Sequence, residues 1–262
     1  MMWLTSQAVW LLVLGSLVLA LLVAGASRLA VAAIVPAAEA DHVHAIAAPL
    51  MPALGATFAV LTALTLSSEA GYLRTAQDIV SREAAEASRL AWASTSPGVD
   101  SATIQEALAA YLRATRDNEW ERVHEIESAD PATAEALATL ERVVRDEAAR
   151  PELGTPESTE LLASLDAVTT GRRTRIAAAD RELPGLYVVT LVASGVALIA
   201  NAGALVFRTS TRTSLLVAGL ACVVGLSLAL LFSLSAPWRG SLSVSGDPLD
   251  AVVHDLETGY FG

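Results

Sequence analysis

The sequence predicts an all-α membrane protein: a four-span transmembrane helical protein, in two hairpins, with an inserted cytoplasmic helical bundle. Three observations carry this prediction. The chain is 53% hydrophobic and 17% charged, with a mean hydropathy of +0.50. That average is too apolar for an ordinary soluble domain. Four stretches, residues 8–24, 45–66, 185–207 and 213–235, contain no Asp, Glu, Arg or Lys, and each has about the length that crosses a bilayer. The polar residues are concentrated elsewhere: residues 67–183 hold 13 Arg and 22 acids, most of the formal charge of −11. The expected organisation is a first hairpin over 1–66, an acidic helical domain over 67–183, a second hairpin over 184–235 and a tail over 236–262 with a short amphipathic helix.

Composition also excludes several classes. All basic residues are Arg, and the acidic balance argues against a nucleic-acid partner, which needs a basic surface. One cysteine, Cys222, leaves no internal disulfide and no Cys-rich metal site.

The first apolar segment ends in Ala24-Gly25-Ala26, a small-residue run like a signal-peptidase site. No Arg or Lys precedes it and the run is long for a signal core, so a retained span is expected. Four spans place both termini and the acidic domain on one side. That side has Arg74, Arg82, Arg172, Arg173, Arg175, Arg181 and Arg239 near span ends, against Arg28, Arg208 and Arg212 opposite. The excess predicts a cytoplasmic domain and a multi-pass protein of the inner membrane.

Within the acidic domain, one helix continues from the second span to about Ala93 and stops at Ser94-Thr95-Ser96-Pro97-Gly98. A second starts near Ser101, where Thr103 and Glu106 have capping-box spacing, and fades near Ser128. Asp130-Pro131 reads as an N-cap followed by proline at the first helical position, starting a helix that ends near Arg150-Pro151. Thr155-Pro156-Glu157 starts a fourth helix, which could run into the third span. In the tail, Asp247-Pro248 opens a helix with Leu249, Val252, Val253 and Leu256 on one face, ended by Gly259. In the second hairpin, Ala193/Ala197, Ala200/Ala204 and Ala218/Cys222 give small residues four apart for close packing, and Asn201 reads as interhelical glue.

Charged residues fall on apolar faces. Glu83 lies on the stripe of Leu73, Ala76, Val80, Ala87 and Leu90; Arg172 and Arg175 lie on that of Leu161, Leu165 and Val168. Two readings fit: a buried Glu83–Arg172/Arg175 cluster that fixes helix register, or three side chains at stripe edges that reach water. Tyr111, Leu112, Trp120 and Val123 supply bulk to the second helix, and Trp120 reads as core.

The order of these features resembles the prokaryotic bestrophin-like family of membrane proteins of unknown function. The resemblance covers roughly residues 45–258. It rests on Gly55 in the second span, Glu83-Ala84 with Leu90, Tyr111, Glu119-Trp120, Arg172 and Arg175, Leu183-Pro184, and Pro237-Trp238-Arg239-Gly240. Trp238 stands where the family more often has Phe. The resemblance implies a relation to bestrophins, oligomeric ion channels with a large cytoplasmic helical part. It therefore implies a homo-oligomer in the lipid bilayer that passes small inorganic ions, and no cofactor.

A pore needs a lining, and Phe58, Thr62, Thr65 and Glu69 share one helical face of the second span. In a ring of subunits they would form an aromatic constriction, two hydroxyl rings and an acidic mouth that favours cations. Threonine in a span also bonds its own backbone, and Glu69 equally fits a membrane-edge residue. The alternative function is a membrane-anchored interaction or sensory module whose acidic domain binds a protein partner. Enzyme chemistry has little support. Glu39, Asp41, His42 and His44 are the densest metal-ligand group, but the histidines are two apart and fit a loop or strand better than one helical face, so no metal site is expected. His124 and His254 have no visible catalytic partner, and there is no phosphate loop or zinc-protease motif.

Overall fold

A computed structural model describes residues 9–120, 130–179, 184–208, 211–234, 238 and 243–261. Among them every regular element is helical: α1 Val9–Ile34, α2 Ala40–Ser94, α3 Ser101–Ala114, α4 Pro131–Ala148, α5 Thr155–Ala179, α6 Gly185–Leu205, α7 Thr211–Leu234 and α8 Asp247–Glu257. A π-helical turn, Thr115–Trp120, extends α3, and a 3-10 turn, Ala37–Glu39, precedes α2. Four helices, α1, α2, α6 and α7, are long and apolar enough to cross a membrane. The chain forms two compact units, Met1–Tyr72 with Glu182–Leu242, and Leu73–Arg181 with Ser243–Gly262.

In the first unit, α1 packs on α6 and α7. Its core joins Ala20 and Ala24, Phe58, Leu191, Leu198 and Ile199, and Ala221, Val224 and Leu231. Lipid tails are as apolar as Leu, so close van der Waals packing must hold such helices together. Glycines supply the closest approaches. A Cβ on Gly225 would lie 3.0 Å from the Ser16 carbonyl oxygen, and one on Gly203 would lie 3.1 Å from that of Ala24. Ala193 and Ala197, expected at this contact, are exposed on α6. Asn201 bridges helices as its polarity requires, donating from Nδ2 to the Ala47 carbonyl at 2.9 Å.

Helix α1 runs to Ile34, past the small-residue run at Ala24, because its polar residues find partners. Ser27 donates to the Ala200 carbonyl at 2.7 Å, and Arg28 to the Ser214 hydroxyl at 2.7 Å. His42 and His44 lie on α2, not in a loop or strand. The ring of His44 pairs through Nε2 with the Leu205 carbonyl at 2.7 Å and stacks on Phe207. Arg208 donates to the Val35 carbonyl at 3.2 Å.

The second unit is built from the end of α2 with α3, α4, α5 and α8. Their buried faces contribute Val80 and Leu90, Ile104 and Leu108, Leu140 and Val144, Leu161 and Val168, and Leu249 and Val252. Gly98, at φ +84°, turns the chain between α2 and α3 in a conformation that side chains disfavour. The cap of α3 is Asp100, not a Thr103–Glu106 box: its Oδ1 accepts from the Thr103 amide at 3.2 Å and its Oδ2 from the Thr103 hydroxyl at 2.8 Å. Helix α5 is described to Ala179, and Pro184 is the N-cap of α6.

Helix α4 starts where the sequence places it. Asp130 accepts from the amides of Ala132 at 2.9 Å and Thr133 at 3.2 Å, and Pro131 follows. Asp130→Ala leaves both amides without that acceptor and is expected to cost about 1 kcal/mol. Thermal unfolding in detergent should show a small downward shift, and Asp130→Asn should restore most of it.

Candidate functional site

Glu83 and Arg175 meet in the interior of the second unit. On α2, Leu73, Ala76, Val80, Glu83, Ala87 and Leu90 recur at three- and four-residue spacing, which is one helical face. The face turns inward, and Glu83 is 0% exposed. On α5, Arg172 and Arg175 continue the face of Leu161, Leu165 and Val168, and they are 7% and 3% exposed. Arg175 donates from Nε to Glu83 Oε2 at 2.6 Å. Gly171 allows this approach: a Cβ there would lie 3.3 Å from Glu83 Cγ.

The second carboxylate is Glu119, and it takes Arg172. Arg172 donates to Glu119 Oε1, and Arg175 donates from Nη2 to Glu119 Oε2 at 2.7 Å. Arg172 therefore pairs with Glu119 and not with Glu83. The Tyr111 hydroxyl donates to Glu83 Oε1 at 3.1 Å, and the Arg175 guanidinium lies 5.6 Å from the centre of the Trp120 ring. Trp120 is half-buried, and Gly246 lies against its indole.

Helical phase brings Glu119 inward. Leu108, Leu112, Thr115 and Glu119 are spaced four, three and four residues apart and all are buried, so they share one helical face. The π-helical turn over Thr115–Trp120 continues that face.

Two carboxylates and two guanidiniums leave no net charge in this interior. Burial alone would make the Arg175 guanidinium easier to deprotonate; the Glu83 carboxylate outweighs it and holds the group above its usual range. Burial, then the Glu83 charge, pushes the Tyr111 hydroxyl well above the ordinary phenol range. The cluster is thus a clasp of two acids and two arginines joining α2, α5 and the end of α3.

In the first unit, Phe58, Thr62, Thr65 and Glu69 do share a helical face, and the structure turns that face into the protomer. Phe58 is 6% exposed, Thr62 8% and Glu69 3%. Phe58 sits against Gly195, where a Cβ would come within 3.2 Å of its ring. Thr65 donates to its own backbone, at the Leu61 carbonyl, 2.7 Å away. The opposite face of α2 is open and carries Ala53, Ala56, Val60, Leu64, Ser67 and Gly71, again at three- and four-residue spacing.

Gly55 lies on α2 with nothing within 4 Å of a Cβ built there. Trp238 is buried at 9% exposure. Pro237, Gly240, Arg239, Leu183, Arg181, Val123 and His124 lie outside the described residues. Among the described residues, no group of three or more His, Cys, Asp or Glu could hold a metal ion.

Four membrane-length helices, with a helical unit closed by a buried charge clasp, define an integral membrane protein of the all-helical class. The chain belongs to the bestrophin-like family: a bestrophin-like domain model matches residues 17–249. Its fold is shared with a crystal structure of a mutant bacterial bestrophin homologue from Klebsiella pneumoniae. The TM-score is 0.68 at 14% identity, over 95% of this chain and 99% of that one. Two crystal structures of membrane-protein mutants align with TM-scores of 0.68 and 0.66, at 14% and 15% identity, over 94% of this chain and 96% of each of theirs. No curated protein matches the chain.

Proposed function

We propose that the chain is one subunit of a homo-oligomeric ion channel in the inner membrane, with both termini and the acidic helical unit on the cytoplasmic side. Membership of the bestrophin-like family and the shared fold support a channel. The arginine excess on the side of the acidic unit supports the orientation. The observation that carries the reading is the open face of α2. The exposed apolar residues of α1 and α7 are bulky, among them Trp10, Leu19, Leu22, Leu215 and Leu216. That is what lipid-facing helices present. The open face of α2 instead has Ala53, Ala56, Ser67 and Gly71 around Val60 and Leu64. It is the least lipid-like exposed face, and a ring of copies would direct it toward the axis. Phe58, Thr62 and Glu69 then act from behind the lining, holding α2 against its own protomer.

Purified protein in liposomes is expected to form a closed ring, seen by mass measurement in detergent, and to pass ions down a gradient. A folded monomer, or no flux of Na⁺, K⁺ or Cl⁻, would end this reading. The alternative, a membrane-anchored interaction module, draws on Trp92 and Tyr260. These two rings meet edge to face and are 52% and 64% exposed. A folded chain without flux that loses partner binding with Trp92→Ala would favour it.

A further inference from the structure

The formal charge is not shared between the two units. The first holds four arginines and four acids; the second holds 13 arginines and 24 acids, the whole of the −11. Two large aromatic rings stand on this acidic unit. Gly259, at φ +71°, turns the chain after α8, and Tyr260 and Phe261 pack against Trp92 near the end of α2. Phe261 is buried, while Trp92 and Tyr260 are more than half exposed. The buried ring anchors the exposed two, so a ligand that covers them orders little.

A groove of about 250 Å³ lies beside them, between α3 and α8. Ala102, Ala109 and Leu256 give it an apolar side, and Glu106, Arg113 and Glu257 a polar one. Arg113 and Glu257 hold each other at 2.6 Å. The Glu106 carboxylate is exposed and has no partner among the described residues. Tyr260 follows Glu257 by three residues, so no more than about 11 Å of chain separates groove and rings.

We propose that the groove and the Trp92–Tyr260 pair dock a basic segment of a partner protein. Charge decides the partner. A second copy of this unit, an anionic bilayer and a nucleic acid all carry the sign that the unit itself carries, and are repelled. In a basic segment, small apolar side chains enter the groove and a cation meets Glu106. A neighbouring arginine lies over an exposed ring, as guanidiniums do at protein interfaces. This names the partner class for the interaction surface at Trp92 and Tyr260, and it holds whether or not the chain conducts ions.

The test is fluorescence anisotropy of a labelled peptide of alternating Ala and Arg, titrated with full-length protein in detergent at physiological salt. Saturable binding is expected, with none for the matching peptide of Ala and Glu. Trp92→Ala and Tyr260→Ala should each weaken it by about fivefold, and Glu106→Gln by about threefold. Asp166→Asn removes the same charge at an exposed position of α5 and should leave binding unchanged. The two aromatic variants are independent, so if one misfolds the other decides. No binding of the Ala-Arg peptide would overturn the proposal. So would wild-type affinity in both aromatic variants, or an equal loss in Asp166→Asn and Glu106→Gln, which would leave only general charge attraction. A Trp92→Ala protein that binds peptide normally but loses oligomer mass would give the surface to a second copy instead. Absence of ion flux would end the channel reading and leave this one untouched.

Discussion

Glu83→Ala is expected to lower the stability of the second unit by about 3–5 kcal/mol, the cost of stripping one partner from a buried ion pair. The variant leaves Arg172 and Arg175 buried with one carboxylate, Glu119, between them. Arg175 loses its 2.6 Å bond, and the Tyr111 hydroxyl loses its acceptor. Two guanidiniums sharing one carboxylate in that interior must drag in water or push the helices apart. Against a typical domain stability of about 5–15 kcal/mol, this is a large fraction. Glu83→Gln keeps the shape and a hydrogen bond but not the charge, and should lie between wild type and Glu83→Ala.

The same physics predicts that Glu83→Leu/Arg175→Met is less harmful than either single change. The double variant removes both charges, and a well-packed apolar pair often matches a buried ion pair in stability. Thermal unfolding in detergent supplies the numbers, and a double-mutant cycle supplies the coupling. An unchanged melting temperature in Glu83→Ala would mean that the clasp does not hold the unit together.

Glu83 and Arg175 were legible because charge breaks an apolar period. A lone carboxylate among Val80, Ala87 and Leu90 needs a partner, and helical phase supplies the direction. Glu119 was not legible as a partner. It shares a helical face with Leu108, Leu112 and Thr115, but among Arg116, Asp117, Asn118 and Glu119 no apolar residue marks which polar side chain turns inward. Helix starts followed side-chain chemistry: Asp130-Pro131 marks α4 without ambiguity, whereas Asp100 and Thr103 both fit the start of α3 and only geometry decides between them. The spans were legible as runs without charge. The end of α1 was not, because Ser27 and Arg28 are satisfied by α6 and α7, far away in sequence. The open face of α2 was the least legible. Thr62 and Glu69 look like groups that want water, yet burial within one protomer is invisible to periodicity, which finds a helix's faces but not which of them its own chain covers.

Gly225→Val is expected to have the largest effect among substitutions in the first unit. A Cβ at this position would lie 3.0 Å from the Ser16 carbonyl oxygen, 3.1 Å from Leu17 Cα and 3.2 Å from the Ser16 carbonyl carbon. All three are backbone atoms of α1, so no side-chain rotation relieves the contact. Helices α1 and α7 must separate, and the branched side chain widens the gap. Overpacking of this kind costs about 1–3 kcal/mol in a soluble core. In a bilayer the lost contacts are not offset by a hydrophobic force that pulls the helices together again. Gly219 is the internal control: it lies on the same helix with nothing within 4 Å of a Cβ. Gly219→Val should leave melting temperature and protease resistance at wild-type levels, while Gly225→Val lowers both. Equal behaviour of the two would mean that the helices are not held at the Ser16–Gly225 contact. A channel built from this subunit would feel the difference, because α7 and the buried face of α2 share one core through Val224 and Phe58. Displacing α7 removes part of what fixes α2 in place, so Gly225→Val should reduce ion flux even in the fraction that remains assembled.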